Sequence, residues 1–241
     1  MQIADLAPVI AATWPPAALE TVGPFTIPKG AGGGQRVSAA RLTDPHATEA
    51  SETEIDAAIA ALAAIGQPPL FMVLDHQTAL DARLAARGFG QSDTTHALLT
   101  DTATLAKAPP PVTCFATWPP LAIQAEIWAT GSIGPARLAV MERVTGPKIS
   151  FFGRANDRPA GAAFAAIHDG IAMLHALEVL TPHRRKGLAR IMLRAAGDWA
   201  RAQGAARFAT LVTGENLPAQ GLYASLGFAT VGQYHYRCKP A

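Results

Sequence analysis

Charge is scarce in this chain. Asp, Glu, Lys and Arg make up 16% of its 241 residues, and the formal net charge is +2. No Lys/Arg-rich tract with interleaved aromatics occurs, which argues against a nucleic-acid binder. There are two cysteines, Cys114 and Cys238. They are too few and too far apart for a disulfide framework or a zinc knuckle, so they read as inert buried thiols in a reducing compartment. No run of about 18 apolar residues is free of Pro, Gly and charge, so no membrane span is expected. The opening residues contain Asp5 and no basic segment, and do not read as a secretory leader. The histidines share no metal-ligand spacing with carboxylates, and no metal is expected. What is there is 49% hydrophobic, globular in composition and long enough for one large or two small domains. A cytoplasmic protein, monomer or homodimer, is the expectation.

Periodicity and turn chemistry give an α/β order. A short helix over residues 3–14 precedes Trp14-Pro15-Pro16, and Gly30–Gly34 is a flexible turn before an extended piece near Arg36–Leu42. Ser51-Glu-Thr-Glu54 is a capping box that opens a helix carrying Ile55, Ile59, Leu62 and Ile65 on one face. Leu70–Leu74 is wholly apolar, as in a central strand. A second helix over Ala79–Arg87 closes at Gly88-Phe89, and a strand runs through about Thr100. The consecutive prolines of Lys107–Val112 mark a linker. The expected domains are therefore 1–108 and 109–241. In the second, a strand at Thr113–Ala116 leads to helices over Pro120–Ala129 and Pro135–Val144. A hairpin turns at Asn156-Asp157, and Ile171–Leu180 is the next strand. A long helix follows Gly187, then a strand at Arg207–Val212, a helix over Asn216–Leu226 and a last strand over Thr230–Lys239.

The stretch Leu174–Ala189 organises the whole. A buried strand breaks at Pro182, and Arg184, Arg185 and Lys186 precede a glycine where a helix begins. A helix start exposes unpaired N–H groups and the positive end of the dipole, which suits an anion such as phosphate. Three cations there are unfavourable unless a polyanion binds. A solvated basic turn is the plain alternative.

The two halves resemble each other. Leu84-Ala-Ala-Arg-Gly-Phe89 matches Tyr223-Ala-Ser-Leu-Gly-Phe228, and His96 and His235 stand at the same distance beyond the phenylalanine. Phe71–Asp75 matches Thr210–Gly214, and Leu42–His46 resembles Leu180–His183. The copies diverge after those histidines. Where the second half has Arg-Arg-Lys-Gly, the first has Ala-Thr-Glu-Ala and then the capping box, so its helix start is occupied by Glu52 and Glu54 and lacks a glycine. The first half reads as a degenerate structural copy.

At residues 112–238 the chain resembles the GNAT superfamily of acyl-CoA-dependent N-acyltransferases. The likeness rests on Leu177-Glu-Val179, on Arg184-Arg-Lys-Gly-Leu-Ala189, and on Asn216-Leu-Pro-Ala-Gln-Gly-Leu-Tyr223 with Leu226-Gly-Phe228, in that order and spacing. Ala189 stands where the family usually has a second glycine. One strand follows Phe228 where the family usually has two, so the last is missing or supplied by the other half. The resemblance implies a mixed central sheet flanked by helices. That fold would be present twice, with about thirty residues lacking before the long helix of the first copy, as in tandem proteins with one active copy. It also implies acetyl-CoA as donor. Backbone N–H groups of Arg185, Lys186, Gly187, Leu188 and Ala189 would hold the pyrophosphate, with charge added by Arg184 and Lys186. Leu177 and Val179 would bond the pantetheine arm through their backbone, and Asn216 would lie near it unless it is simply a helix cap.

Acyl transfer to an amine needs a neutral amine, stabilisation of the thioester oxygen and a proton for the departing thiolate. The resemblance gives the last role to Tyr223, whose alternative is an apolar ring under the Gly-Phe turn. Two residues compete for the base. His175 has a pKa suited to neutral operation and lies in a segment similar to the histidine-bearing strand of arylalkylamine N-acetyltransferases. Glu178 could act through water, or could pair with Arg184 or Arg185. Strict alternation aims the two at opposite faces, which a β-bulge would relax. The acceptor would be a primary amine of a small molecule or peptide, between the helices of 120–144 and the final strand. The loops there carry few charges, which favours an apolar or aromatic amine. The competing class is a non-catalytic CoA-binding or regulatory module.

Overall fold

The computed structural model describes residues 1–239. In chain order the elements are α1 (Ile3–Thr13), β1 (Ala18–Val22), β2 (Phe25–Lys29), β3 (Arg41–Leu42), α2 (Glu52–Ala64), β4 (Leu70–Leu74), α3 (Thr78–Ala86), β5 (Gly90–Asp101) and α4 (Thr102–Leu105). There follow β6 (Cys114–Thr117), α5 (Ala122–Thr130), α6 (Pro135–Arg143), β7 (Lys148–Ala155), β8 (Arg158–His168), β9 (Ile171–Val179), α7 (Leu188–Ala202), β10 (Arg207–Thr213), α8 (Leu217–Ala224) and β11 (Ala229–Cys238). No helix among the described residues is long and apolar enough to cross a membrane.

One eight-stranded mixed sheet runs β4-β11-β5-β10-β9-β8-β7-β6, and β1-β2-β3 form a small second sheet. The order settles where the strand absent after β11 comes from. β5, from the first half, lies between β10 and β11, antiparallel to both, and β11 in return pairs with β4 of the first half. The registers repeat. Val212 faces His96 on one side as His235 faces Val73 on the other, and Leu211–Ala97 is mirrored by Met72–Tyr236. Between the two long strands Thr95 pairs with its own counterpart, Tyr234. Each half thus fills the sheet of the other, and the strands that would be open edges are paired.

Alternating side chains feed cores on the two faces, as a period of two requires. Ala172, Leu174 and Phe208 join Leu188, Met192 and Leu193 of α7. Ile171, Met173 and Ala209 join Ile3, Leu6 and Val9 of α1. In the first half Phe71 and Val73 pack with Ile55 and Leu62 of α2. Helices α5 and α6 pack with Trp14, Val37 and Phe164 beside α1.

Three local features go beyond the sequence expectations or depart from them. The extended piece at Arg36–Leu42 is a 3-10 turn over Gln35–Val37, and only Arg41–Leu42 is strand, because Gly34 turns the chain at φ +100°. The β1–β2 hairpin has no counterpart in the sequence reading. β1 is largely exposed and shows no alternation, which removes the period-two signal. The buried stripe of α7 runs through Met192 and Ala196, with Ile191 and Trp199 only partly covered. Gly153 and Gly161 make room for the Met192 sulfur, which would lie 2.7 and 2.9 Å from a Cβ at those positions. Cys114 and Cys238 are free and half-buried, and burial pushes the Cys114 thiol up to about 12.

Candidate active site

The site begins where two parallel strands part. β9 and β10 pair from Ile171–Arg207 to Leu174–Thr210 and no further, although both continue. The parting is enforced on β9 by a bulge. Phe164 faces His175, but Ala162 faces Glu178, so β9 carries one residue more than β8. Ala176 takes φ +51° there, and Trp128 holds it by donating Nε1–H to its carbonyl at 2.7 Å. The extra residue breaks the alternation and brings His175 and Glu178 into one cleft of about 1370 Å³.

At the mouth of this fork the chain turns through Arg185 at φ +64° and Gly187 at φ +85°, and α7 starts at Leu188. The first N–H of α7 with a helical partner belongs to Ile191, which donates to the Gly187 carbonyl at 3.1 Å. The preceding N–H groups of the first turn have no such partner. A Cβ at Gly187 would meet nothing within 4 Å, so the approach to this backbone is open. No carboxylate of the described residues lies within ion-pair distance of Arg185, Lys186 or Arg190. Lys186 donates to the Pro182 carbonyl at 2.9 Å, and Arg190 to the Ser225 hydroxyl at 2.8 Å. His183 borders the same cleft, with its Nδ1 buried and unpartnered. This combination of free N–H groups, cations and an open glycine suits a phosphorylated ligand.

The other residues anticipated for the donor also line the cleft. Leu177 lies in the bulge and has no facing residue on β8. The Val179 carbonyl accepts from Arg184 Nε at 2.8 Å, so that acceptor is already used. Asn216 is the N-cap of α8, its side-chain oxygen accepting from Ala219 N–H at 3.2 Å, and it still faces the cleft.

Tyr223 is buried, 5% exposed, at the closed end of the fork, beside Thr210, the last residue of β10 to pair with β9. Burial pushes its phenol up, and the neighbouring Thr210 hydroxyl works against that shift.

Both base candidates are engaged by neighbouring side chains. His175 is 5% exposed and packed between Trp14 and Phe164, with the Trp14 ring centroid 4.9 Å away. Its Nδ1 lies 3.3 Å from Arg36 Nη1 and its Nε2 2.9 Å from Thr13 Oγ1. A guanidinium only donates, so Nδ1 must accept and Nε2 must carry the hydrogen. Burial, with the adjacent Arg36 charge, holds its pKa well below the usual histidine value. The ring's basic lone pair is therefore engaged, against the expected role of free base. Glu178 pairs through Oε1 with Arg184 Nη2 at 2.9 Å, the partner considered for it. Its other oxygen lies against Gly131, where a Cβ would come within 2.3 Å.

Thr13, Trp14 and Arg36 all come from the first half. So does the Gly33–Arg36 loop, which lines the far end of the cleft with Ile133, Arg137, Tyr234 and Tyr236. Sequence reasoning placed none of these first-half residues at the site. The glycine-rich run before Arg36 was the one available signal. Among the described residues no cluster of three or more metal-ligating side chains occurs.

Comparison with known proteins agrees with this geometry. Residues 114–228 match the model of the acetyltransferase (GNAT) family. A 102-residue stretch is 32% identical to an uncharacterised N-acetyltransferase, YobR, of Bacillus subtilis; it covers 42% of this chain and 40% of that protein. Among solved structures, a GCN5-related N-acetyltransferase from Kribbella flavida superposes over 99% of this chain and 95% of its own, with TM-score 0.73 and 18% identity. A tandem GNAT protein from the clavulanic acid biosynthesis pathway covers 97% of this chain and 88% of its own, with TM-score 0.60 and 15% identity. At such identities these two likenesses speak for the fold alone.

Proposed function

We propose that this chain, whose residues 114–228 form a GNAT acetyltransferase domain, transfers the acetyl group of acetyl-CoA to a primary amine of a small molecule or peptide. Transfer is direct, with both substrates bound. The observation that carries the reading is the fork between β9 and β10: an anion-binding turn stands at its mouth, and the Tyr223 phenol is buried at its closed end. The N–H groups of Arg185 through Ala189 hold the pyrophosphate, and Arg184 and Lys186 supply charge. The Leu177 backbone and the N–H of Val179 hold the pantetheine, with Asn216 alongside.

The amine nitrogen attacks the thioester carbon, the C–S bond breaks, and the thiolate takes the Tyr223 proton, which water later restores. Glu178 is the better candidate to relieve the amine of its proton, through water, because one of its oxygens stays outside the Arg184 pair. His175 positions the wall of the acceptor end instead. The first half binds no donor. It supplies β5 to the sheet and a wall to the cleft, and we read 1–108 and 109–241 as a degenerate and an active copy of one fold.

A non-catalytic CoA-binding module is the second reading, favoured by the partners that both base candidates already have. Calorimetry with acetyl-CoA, on wild type and Gly187→Glu, tests the common part. Micromolar or tighter binding that is lost in the variant supports the site, and no binding by wild type removes both readings. Turnover of acetyl-CoA with any amine, slowed by Tyr223→Phe, separates enzyme from module.

A further inference from the structure

The acceptor end of the cleft holds two cations that no anion of the described residues answers. Arg36 sits partly buried in the wall. Its Nε donates to the Tyr234 hydroxyl at 3.4 Å and its Nη1 to His175 Nδ1 at 3.3 Å, both neutral partners and both long bonds. Arg137 reaches the Ser132 carbonyl at 3.4 Å, and its Nη2 stands 3.4 Å from where a Cβ would sit on Gly34. That places it against the loop that carries Arg36. Several other arginines do meet carboxylates: Arg87 with Glu52, Arg184 with Glu178, Arg207 with Asp101, Arg237 with Asp81. Neither Arg36 nor Arg137 has one within ion-pair distance. Asp93 borders the same end but is exposed at its rim and is not paired with either.

A guanidinium withdrawn from water without a counter-charge is costly, and it retains more N–H donors than its two long bonds use. The planar fork of those donors matches a carboxylate or a phosphate bidentately, and of the two the carboxylate is the group that amine metabolites most commonly carry. The donor's phosphates are answered by the separate cations at the mouth of the fork. We propose that the acceptor is an amine that also bears a carboxylate, an amino acid or short amino-acid derivative, and that Arg36, with Arg137 beside it, binds the carboxylate. This revises the sequence-level expectation of an apolar amine, and it rests on the transferase reading above.

The test compares matched amines, each as free acid and as primary amide: glycine, β-alanine, phenylalanine and lysine, with acetyl-CoA and thiol release as the readout. The amide's amine is less basic and more of it is neutral, so intrinsic reactivity runs against the expected result. We expect kcat/KM to favour the acid in at least one pair, roughly ten- to a hundredfold, the scale of a charged hydrogen-bonded pair. Arg36→Gln should collapse that ratio mainly through KM of the acid, and Arg36→Lys should keep part of it. A wild type that acetylates the amides as well as or better than the acids overturns this inference and leaves the transferase standing. So does an Arg36→Gln that slows acid and amide equally, since a merely structural arginine leaves the ratio unmoved. If acetyl-CoA binds but no acid or amide is turned over, this inference falls, and the transferase reading falls with it only when amines of other classes are not turned over either.

Discussion

The two halves offer the same fork to the solvent and do opposite things with it. In the second half β9 and β10 part after Leu174 and Thr210 and leave a cleft of about 1370 Å³. In the first half the corresponding contact is the bridge between Ala40 and Phe71, beyond which Leu42 and Leu74 diverge in the same way. There α1 lies in the gap, its Ala7, Ile10 and Ala11 and the Trp14 that follows it lining the space beside Met72 and Leu74, and about 30 Å³ remains, the room of one water. Gln77 then laces the opening shut, accepting from Leu74 N–H at 3.0 Å and donating to the Ala47 carbonyl at 3.0 Å. The helix starts differ in the same sense. Ser51 and Glu54 cap α2 reciprocally, and the hydrogen bonds of Ser51 hold the Glu54 carboxyl below its usual range. The start of α7 has a left-handed glycine and cations. A fork in a parallel pair is thus only an opportunity. The side chains at its mouth, and what else the chain lays into it, decide between site and core.

The sharpest way to break this comparison is to truncate corresponding residues on the two sides. Leu84→Ala, in the buried position that matches Tyr223, should cost about 2–5 kcal/mol of stability in urea unfolding. It should leave the dissociation constant of acetyl-CoA unchanged. Tyr223→Phe should do the reverse: little loss of stability, with kcat down about a hundredfold or more. If both variants lose activity alike, the halves are not divided as described.

Next in size is a pH effect confined to the acceptor wall. Folding holds His175 neutral well below its usual range, through burial and the Arg36 charge. Below about pH 6.5 the unfolded chain takes up a proton that the folded chain refuses. Stability should then fall as pH falls, by up to about 1.4 kcal/mol per unit, with no such contribution above that pH. His175→Gln should flatten the urea-midpoint profile between about pH 6.5 and 5 relative to wild type. An unchanged slope would show the ring is not kept neutral.

The smallest effects sharpen the contrast of helix starts. Ser51→Ala and Asn216→Ala each remove a cap and should each cost about 1 kcal/mol. Asn216→Ala alone should also weaken acetyl-CoA binding, read by calorimetry. Equal effects on binding would argue against Asn216 as part of the donor site.

What was legible in the sequence was local or repeated. The capping box at Ser51, the glycine before α7 and the Asn216 cap are each set by neighbours a few residues away, and the structure has them in place. The fork itself follows from the order of strands and helices. The bulge that reconciles His175 with Glu178 was conceivable, but nothing in the composition of the strand required it. Its cause is distant, in Trp128 gripping Ala176. Arg36 was illegible for the same reason. It stands in a glycine-rich turn, and only the packing of the first half across the sheet, with α1 on β9 and β11, carries its charge to His175 and Tyr234. The partner a side chain meets across the sheet is not encoded by its own periodicity.

The exchange of β5 and β11 has a consequence on the ribosome. The first half emerges with its longest strand, Gly90–Asp101, bounded by neither of its final partners, β10 and β11. At about 5–20 residues per second, those partners follow roughly ten seconds later. Through that interval the nascent chain carries an open strand edge that no amount of early folding can close. Translation speed through the second half, and whatever shelters the waiting strand, therefore belong among the determinants of how much active protein a cell obtains.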